Sequence, residues 1–82
     1  MYHLYIVKCA DETLYTGITV DLKRRVKEHN SSSLGAKYTR ARRPVVLVYS
    51  KRYKNRSLAS KAESALKAKS RKEKLKLISD MI

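Results

Sequence analysis

Between Leu14 and His29 the chain reads Leu-Tyr-Thr-Gly-Ile-Thr-Val-Asp-Leu-Lys-Arg-Arg-Val-Lys-Glu-His. From Asp21 onward the spacing is helical: Leu22 and Val26 form a small apolar stripe, with Arg25 and His29 beside it, one turn apart. Lys23, Arg24 and Lys27 point the other way. A guanidinium is permanently charged and shaped to hold phosphate, and an imidazole exchanges protons near neutral pH. Turning both inward is an odd investment for a plain core. A third candidate is Glu63, at the margin of a later helical stripe, between Lys61 and Lys67. Its bland reading is a surface ion pair. Its sharper reading is a metal ligand, because Mg²⁺ takes one or two protein carboxylates and leaves its other positions to water and phosphate.

The charge balance says what such groups would meet. Lys and Arg number 20 against 7 Asp and Glu, a formal net charge of +13 in 82 residues. Self-repulsion on that scale opposes folding of a small domain, so a polyanionic partner is the natural explanation. Nucleic acid fits better than membrane, because no segment pairs a basic face with exposed Trp, Phe or Leu, and no apolar run nears the roughly 20 residues of a span. A single cysteine, Cys9, excludes an internal disulfide and a thiolate cage; it reads as a small buried hydrophobe. The start of the chain lacks the pattern of a signal peptide, and a cytoplasmic location is expected.

The elements that must position these groups follow from pattern and length, which predict one domain over residues 1–82. Residues 2–9 and 14–20 read as a hairpin around Ala10 to Thr13. An odd-length loop, for example with Cys9 opposite Tyr15, puts Leu4, Ile6, Leu14, Ile18 and Val20 on one face. It puts Tyr5, Tyr15, Gly17 and Thr19 on the other; a one-residue slip would separate the tyrosines. A helix over Leu22 to His29, capped by Asp21, leads to a polar loop over Asn30 to Gly35. Ala36 to Arg43 is basic, with room for one helical turn. Residues 45–50 form a third strand, apolar on both faces and so expected at the centre, after which residues 51–56 leave the sheet. Ser57 is expected to cap a helix with Leu58, Ala62, Ala65 and Leu66 inward. Ser70, with Glu73 three residues on, opens a last helix with Leu75 and Ile78 inward.

Leu4-Tyr5-Ile6, then Leu14-Tyr15-Thr16-Gly17-Ile18-Thr19, then Asp21-Leu22 with Arg25 and His29, then Ala59 with Glu63, resembles the GIY-YIG nuclease domain, in its small stand-alone bacterial form. The ordered set covers nearly the whole chain, through Gly35-Ala36-Lys37-Tyr38-Thr39 and the basic C-terminal helices. The resemblance implies a compact α/β (α+β) fold with a three-stranded antiparallel sheet flanked by helices. It implies catalytic roles for Tyr5, Tyr15, Arg25, His29 and Glu63, with Glu63 also the ligand of Mg²⁺ or Mn²⁺. Two positions depart from the family: His3 stands where the first motif has glycine, and no asparagine follows Glu63.

On that footing Arg25 would hold the scissile phosphate and Tyr5 would be the general base, its pKa brought well below about 10 by Arg25 and the metal. Tyr15 would support Tyr5 by a hydrogen bond, Gly17 and Thr19 would let backbone approach the phosphate, and His29 would relay the proton or orient Tyr5. Lys37, Arg40, Arg42 and Arg43, and the later Lys69, Arg71 and Lys72, read as contacts to a nucleic-acid backbone without sequence readout. The expected activity is endonucleolytic hydrolysis of DNA, single-stranded or branched, with low sequence specificity, in repair or processing, by a monomer. A non-catalytic nucleic-acid-binding module on the same scaffold is the alternative.

Overall fold

The computed structural model describes residues 1–31 and 34–80. The order is β1 (Tyr2–Lys8), β2 (Leu14–Thr19), α1 (Leu22–Ser31), α2 (Lys37–Arg40), β3 (Val46–Tyr53), α3 (Arg56–Lys67) and α4 (Arg71–Asp80). The strands form one antiparallel sheet in the order β2-β1-β3. This α+β architecture matches the expected fold. The central position does not. β3 lies at an edge, with Val46 and Leu47 exposed, while β1 is central and buries Leu4, Tyr5, Ile6 and Val7 in succession. An apolar run on both faces suggests centrality for β3; burial of Tyr5 is what covers the second face of β1.

The β1–β2 loop has odd length, as expected, and is tighter than the register offered as an example. Cys9 N donates to Thr13 O at 2.8 Å and Glu12 N to Cys9 O at 3.0 Å, closing a loop over Ala10, Asp11 and Glu12. Tyr5 therefore faces Gly17, and Lys8 faces Leu14. Moving the register by two residues preserves parity, so Tyr5, Tyr15, Gly17 and Thr19 do share a face. Val20 lies past the end of β2 and is exposed, so it leaves the apolar set.

Each sheet face has its own cover. Leu4 and Ile6 pack with Leu14 and Ile18 under Ala62, Leu66, Leu77 and Ile78 of α3 and α4. Tyr5, Val7 and Cys9 pack on the other face with Val45, Tyr15, Leu22 and Val26. Asp21 caps α1 by accepting from Arg24 N at 3.0 Å, and α1 continues to Ser31, past the expected end. Of the polar loop expected after it, Ser32 and Ser33 lie outside the described residues. β3 runs on to Tyr53, so the chain leaves the sheet later than expected. Asn55 caps α3 in place of Ser57, accepting from Leu58 N at 3.0 Å. The stripe that packs inward is Ala59, Ala62 and Leu66, while Leu58 and Ala65 are exposed. The capping box before α4 forms as read, with Ser70 N donating to Glu73 Oε1 at 3.1 Å and Glu73 N to Ser70 Oγ at 3.2 Å. In α4 it is Leu77 and Ile78 that face the core; Leu75 is exposed. Among the described residues no helix is long and apolar enough to cross a membrane.

Glu12 closes the hairpin at φ 71°, in the left-handed region where a side chain costs about 1 kcal/mol that glycine avoids. Its ion pair with Lys8 at 3.0 Å is exposed and worth little. Glu12→Gly is expected to leave the fold unchanged and stabilise it by about 0.5–1 kcal/mol. Urea unfolding with an equal or lower midpoint for the variant would refute the strain assignment.

Candidate active site

The register that sets Tyr5 opposite Gly17 also makes room for Tyr5's ring. A Cβ added at Gly17 would lie 2.5 Å from Tyr5 Oη and 2.7 Å from Cζ, so only glycine lets the phenol lie across β2. Glycine was expected here to admit a phosphate. The atoms that fill its space are Tyr5's.

Beyond Gly17 the phenol meets α1. Tyr5 Oη lies 2.8 Å from His29 Nε2, and both side chains are buried. The other ring nitrogen, Nδ1, lies 2.9 Å from Thr39 Oγ1, and that hydroxyl donates to Ala36 O at 2.9 Å. Ala36 N also approaches Nδ1, at 3.4 Å. Gly35 brings this segment close: an added Cβ would sit 2.6 Å from Glu28 O and 2.8 Å from His29 Cα. The helix end that carries His29 is held on both sides. Arg43 Nε donates to His29 O at 2.6 Å, and the Asn30 amide pairs with Val45 through bonds of 3.0 and 2.6 Å.

Tyr15 joins by ring contacts. Its ring meets His29 edge-on at 5.4 Å and stacks with Tyr38 at 5.7 Å; Arg42 covers Tyr38 at 4.0 Å. The hydrogen bond expected from Tyr15 to Tyr5 is replaced by this contact with the histidine between them. Arg25 is half-buried, with Nη1 donating to Glu28 Oε1 at 3.0 Å and to Leu34 O at 2.8 Å.

Burial pushes the Tyr5 phenol above its ordinary 10.0, and the hydrogen bonding and charge of Arg25 pull it down by less. With Arg25 as the neighbouring cation, Tyr5 is a neutral phenol at pH 7. Burial, reinforced by the Arg25 charge, lowers His29 from 6.5 to about 4, so the imidazole is neutral as well.

Glu63 approaches from the other layer. It belongs to α3, which packs on the Leu4–Ile6 face, yet its charge is close enough to raise Tyr5's pKa. It is half-buried and pairs with Lys67 at 3.5 Å. Among the described residues no three His, Cys, Asp or Glu side chains gather into a metal cage. A single hard carboxylate fits an Mg²⁺ or Mn²⁺ shared with a phosphate, and does not fit an ion held by protein alone.

The remaining expectations divide. Thr19 Oγ1 accepts from Asp21 N at 3.2 Å and shapes the turn into α1. Arg42 is engaged by Asp11 at 3.1 Å and by Tyr38 O at 2.8 Å, and Arg43 by His29 O, so both have structural partners that their positions in a basic run did not reveal. Lys37 and Arg40 are exposed on α2, as are Arg71 and Lys72 on α4, while Lys69 pairs with Glu73 at 4.0 Å. Sequence reasoning missed Thr39 and Asn30. A threonine in a helical turn can bond the carbonyl three residues back, which was readable; its meeting with His29 was not.

The GIY-YIG catalytic-domain pattern matches residues 1–76. The chain is similar to a UPF0213 protein of Desulfotalea psychrophila, 56% identical over 77 residues that cover 94% of this chain and 70% of that one. It is 47% identical to a UPF0213 protein of Staphylococcus haemolyticus over 79 residues, covering 96% and 95%. Its fold is similar to the solution NMR structure of a UPF0213 protein from Bacillus halodurans, with a TM-score of 0.61, 41% identity, and 96% and 84% coverage. An E. faecalis protein solved by NMR is also similar, with a TM-score of 0.65, 36% identity, and 98% and 84% coverage.

A depressed histidine pKa links stability to pH. Above pH 6.5 His29 is neutral whether folded or unfolded; between 6.5 and about 4 the unfolded chain takes up a proton that the folded one refuses. Stability is therefore fully present above 6.5 and lost as pH falls toward 4, by on the order of 3 kcal/mol from this residue. Urea unfolding at pH 7, 5.5 and 4 measures it. His29→Gln should show a loss smaller by that amount; equal losses in the two proteins would remove His29 from the account.

Proposed function

We propose, from the premise that the chain belongs to the GIY-YIG catalytic-domain family, that it is a divalent-metal-dependent endonuclease hydrolysing DNA phosphodiester bonds with little sequence specificity. The family is one of nucleases, which generally use divalent metals. The observation that carries the proposal is the buried 2.8 Å contact between Tyr5 and His29, with Arg25 beside it, in a chain of net charge +13.

Hydrolysis needs a water deprotonated in line with the leaving oxygen and charge neutralised on the phosphate. Arg25, fixed through Nη1 to Glu28 and Leu34 O, directs its other donors at a non-bridging oxygen. Because Tyr5 begins as a neutral phenol, it acts as a shuttle. Its Oη takes the proton of the attacking water while its own proton crosses to His29 Nε2. The water oxygen bonds to phosphorus, the bond to the 3′ oxygen breaks, and that oxygen takes a proton from solvent. His29, whose pKa of about 4 makes it a brief carrier, returns its proton to Tyr5 as Tyr5 releases the water's proton to solvent. Glu63 is the residue that would hold Mg²⁺ or Mn²⁺, which supplies Lewis-acid stabilisation of charge on phosphate. Lys37 and Arg40 on α2, with Arg71 and Lys72 on α4, extend positive charge for a phosphate backbone. One domain of 82 residues presents little surface for reading a long site, which suits a repair or processing role.

Single-turnover cleavage of labelled single- and double-stranded DNA, with Mg²⁺, Mn²⁺ or EDTA, tests the proposal. Glu63→Ala is expected to abolish cleavage and leave DNA binding unchanged or slightly tighter. A variant that cuts at the wild-type rate would remove Glu63 from metal binding. Tyr5→Phe keeps the ring and its seat on Gly17; it is expected to cost roughly 10²- to 10⁴-fold in rate. Tyr15→Phe should cost less, since Tyr15 contributes ring contacts. If the wild type binds DNA in a salt-dependent way and cuts none of these substrates, the binding-module reading replaces this one.

A further inference from the structure

We infer that Thr39 is a positioning residue: it holds His29 in the tautomer with hydrogen on Nδ1, so that Nε2 offers its lone pair to the Tyr5 hydroxyl. Tyr5 is 1% exposed, and a buried hydroxyl must place its one proton. Arg25 beside it has no acceptor to offer, which leaves His29 Nε2 at 2.8 Å. Nε2 is then bare, and a neutral imidazole carries its hydrogen on Nδ1. Thr39 Oγ1, fully buried at 2.9 Å, is free to accept it because its own proton is directed to Ala36 O, also at 2.9 Å. Every short contact then has one donor and one acceptor, and the donors run in one direction: Tyr5, His29, Thr39, Ala36.

The opposite tautomer fares worse. With hydrogen on Nε2, Tyr5 accepts from His29 and its own proton has no acceptor in the buried site. Thr39 would turn its proton to Nδ1, facing the Ala36 oxygen at 2.9 Å with no proton between them. The gain is one long contact, from Ala36 N to Nδ1 at 3.4 Å. That exchange is unfavourable. The neutrality of His29 at pH 7, set by burial, agrees with a single ring hydrogen.

The consequence for cleavage rests on the nuclease reading; the tautomer does not. Long-range ¹H–¹⁵N NMR on the labelled protein at pH 7 distinguishes a protonated ring nitrogen from a bare one. The chain has two histidines, and the His29 signals are those absent from His29→Gln. In wild type, Nδ1 is expected to be the protonated nitrogen. Thr39→Val, equal in shape but without the hydroxyl, should move His29 to the other tautomer or to a mixture. Thr39→Ser should restore the wild-type pattern. In single-turnover cleavage the valine variant should lose about 10- to 100-fold in rate with DNA affinity unchanged, and the serine variant should recover most of it. A wild-type His29 protonated on Nε2 would overturn the inference. So would a folded valine variant that keeps hydrogen on Nδ1; should that variant not fold, the wild-type and serine spectra still decide. An absence of cleavage with the expected spectra would count against the nuclease reading alone.

Discussion

A phenol buried in the middle of a small sheet sets the terms for this molecule. Tyr5 is in the central strand, 1% exposed, and its hydroxyl needs a hydrogen-bond partner within the protein. Its ring reaches across β2, which is possible because residue 17 is glycine. Its oxygen ends against α1, where His29 meets it. That helix must end at the right height and angle, which Asn30 fixes on Val45 and Arg43 fixes on the His29 carbonyl. The histidine in turn needs a partner for its second nitrogen, and Gly35 lets the Ala36–Thr39 turn close enough to provide one. A single buried polar group thus specifies a glycine on the adjacent strand, the end of a helix and a loop. Partly satisfied, such a network costs more than an apolar core; fully connected, it holds one geometry.

The same burial decides the electrostatics. Desolvation raises Tyr5 and lowers His29, separating two groups that share a hydrogen bond. Both are neutral at pH 7 before any ligand arrives. In the resting site a polar chain of neutral groups can be buried under α1 beside Arg25, where a standing tyrosinate or imidazolium would require far more compensation. Positive charge is supplied instead by Arg25 at the margin, and negative charge by Glu63 from the other layer.

Much of this was legible in the residues. Asp21 and the Ser70–Glu73 capping box mark helix starts through local chemistry, and the hairpin parity follows from alternation alone. Arg25 and His29 stand out because helical spacing turns them toward the apolar stripe. What escaped has a common cause: it depends on partners distant in sequence. A third strand apolar on both faces reads as central, whereas the centrality of β1 depends on burying the Tyr5 phenol between β2 and α1. Asn55 and Ser57 are both good caps, so the start of α3 was open; which of its faces is buried depends on its packing against the Leu4–Ile6 side of the sheet, and that packing selects Ala59, Ala62 and Leu66. Arg42 and Arg43 read only as part of a basic run facing a nucleic-acid backbone, because Asp11 and the His29 carbonyl, their partners, come from other elements. Thr39 carried no signal of its meeting with a histidine ten residues away.

The acidic residues connect the fold to the charge. Of seven, Asp11 pairs with Arg42, Glu12 with Lys8, Glu28 with Arg25, Glu63 with Lys67, and Glu73 with Ser70 and Lys69, while Asp21 caps α1. Most of these are local duties (a hairpin, two helix starts, the anchoring of Arg25), and Asp11 ties the hairpin to Arg42. Carboxylates so used leave a large cationic surplus, and the chain has no means of neutralising itself. The pair made by Glu63 differs from the capping contacts in that no backbone group depends on it. It is a half-exposed i,i+4 contact at 3.5 Å, the kind worth a few tenths of a kcal/mol. Exchanging Lys67 for a divalent cation beside an incoming phosphate would therefore cost the fold little. Glu63, whose one ion pair no backbone group depends on, is also a carboxylate whose charge is felt at Tyr5.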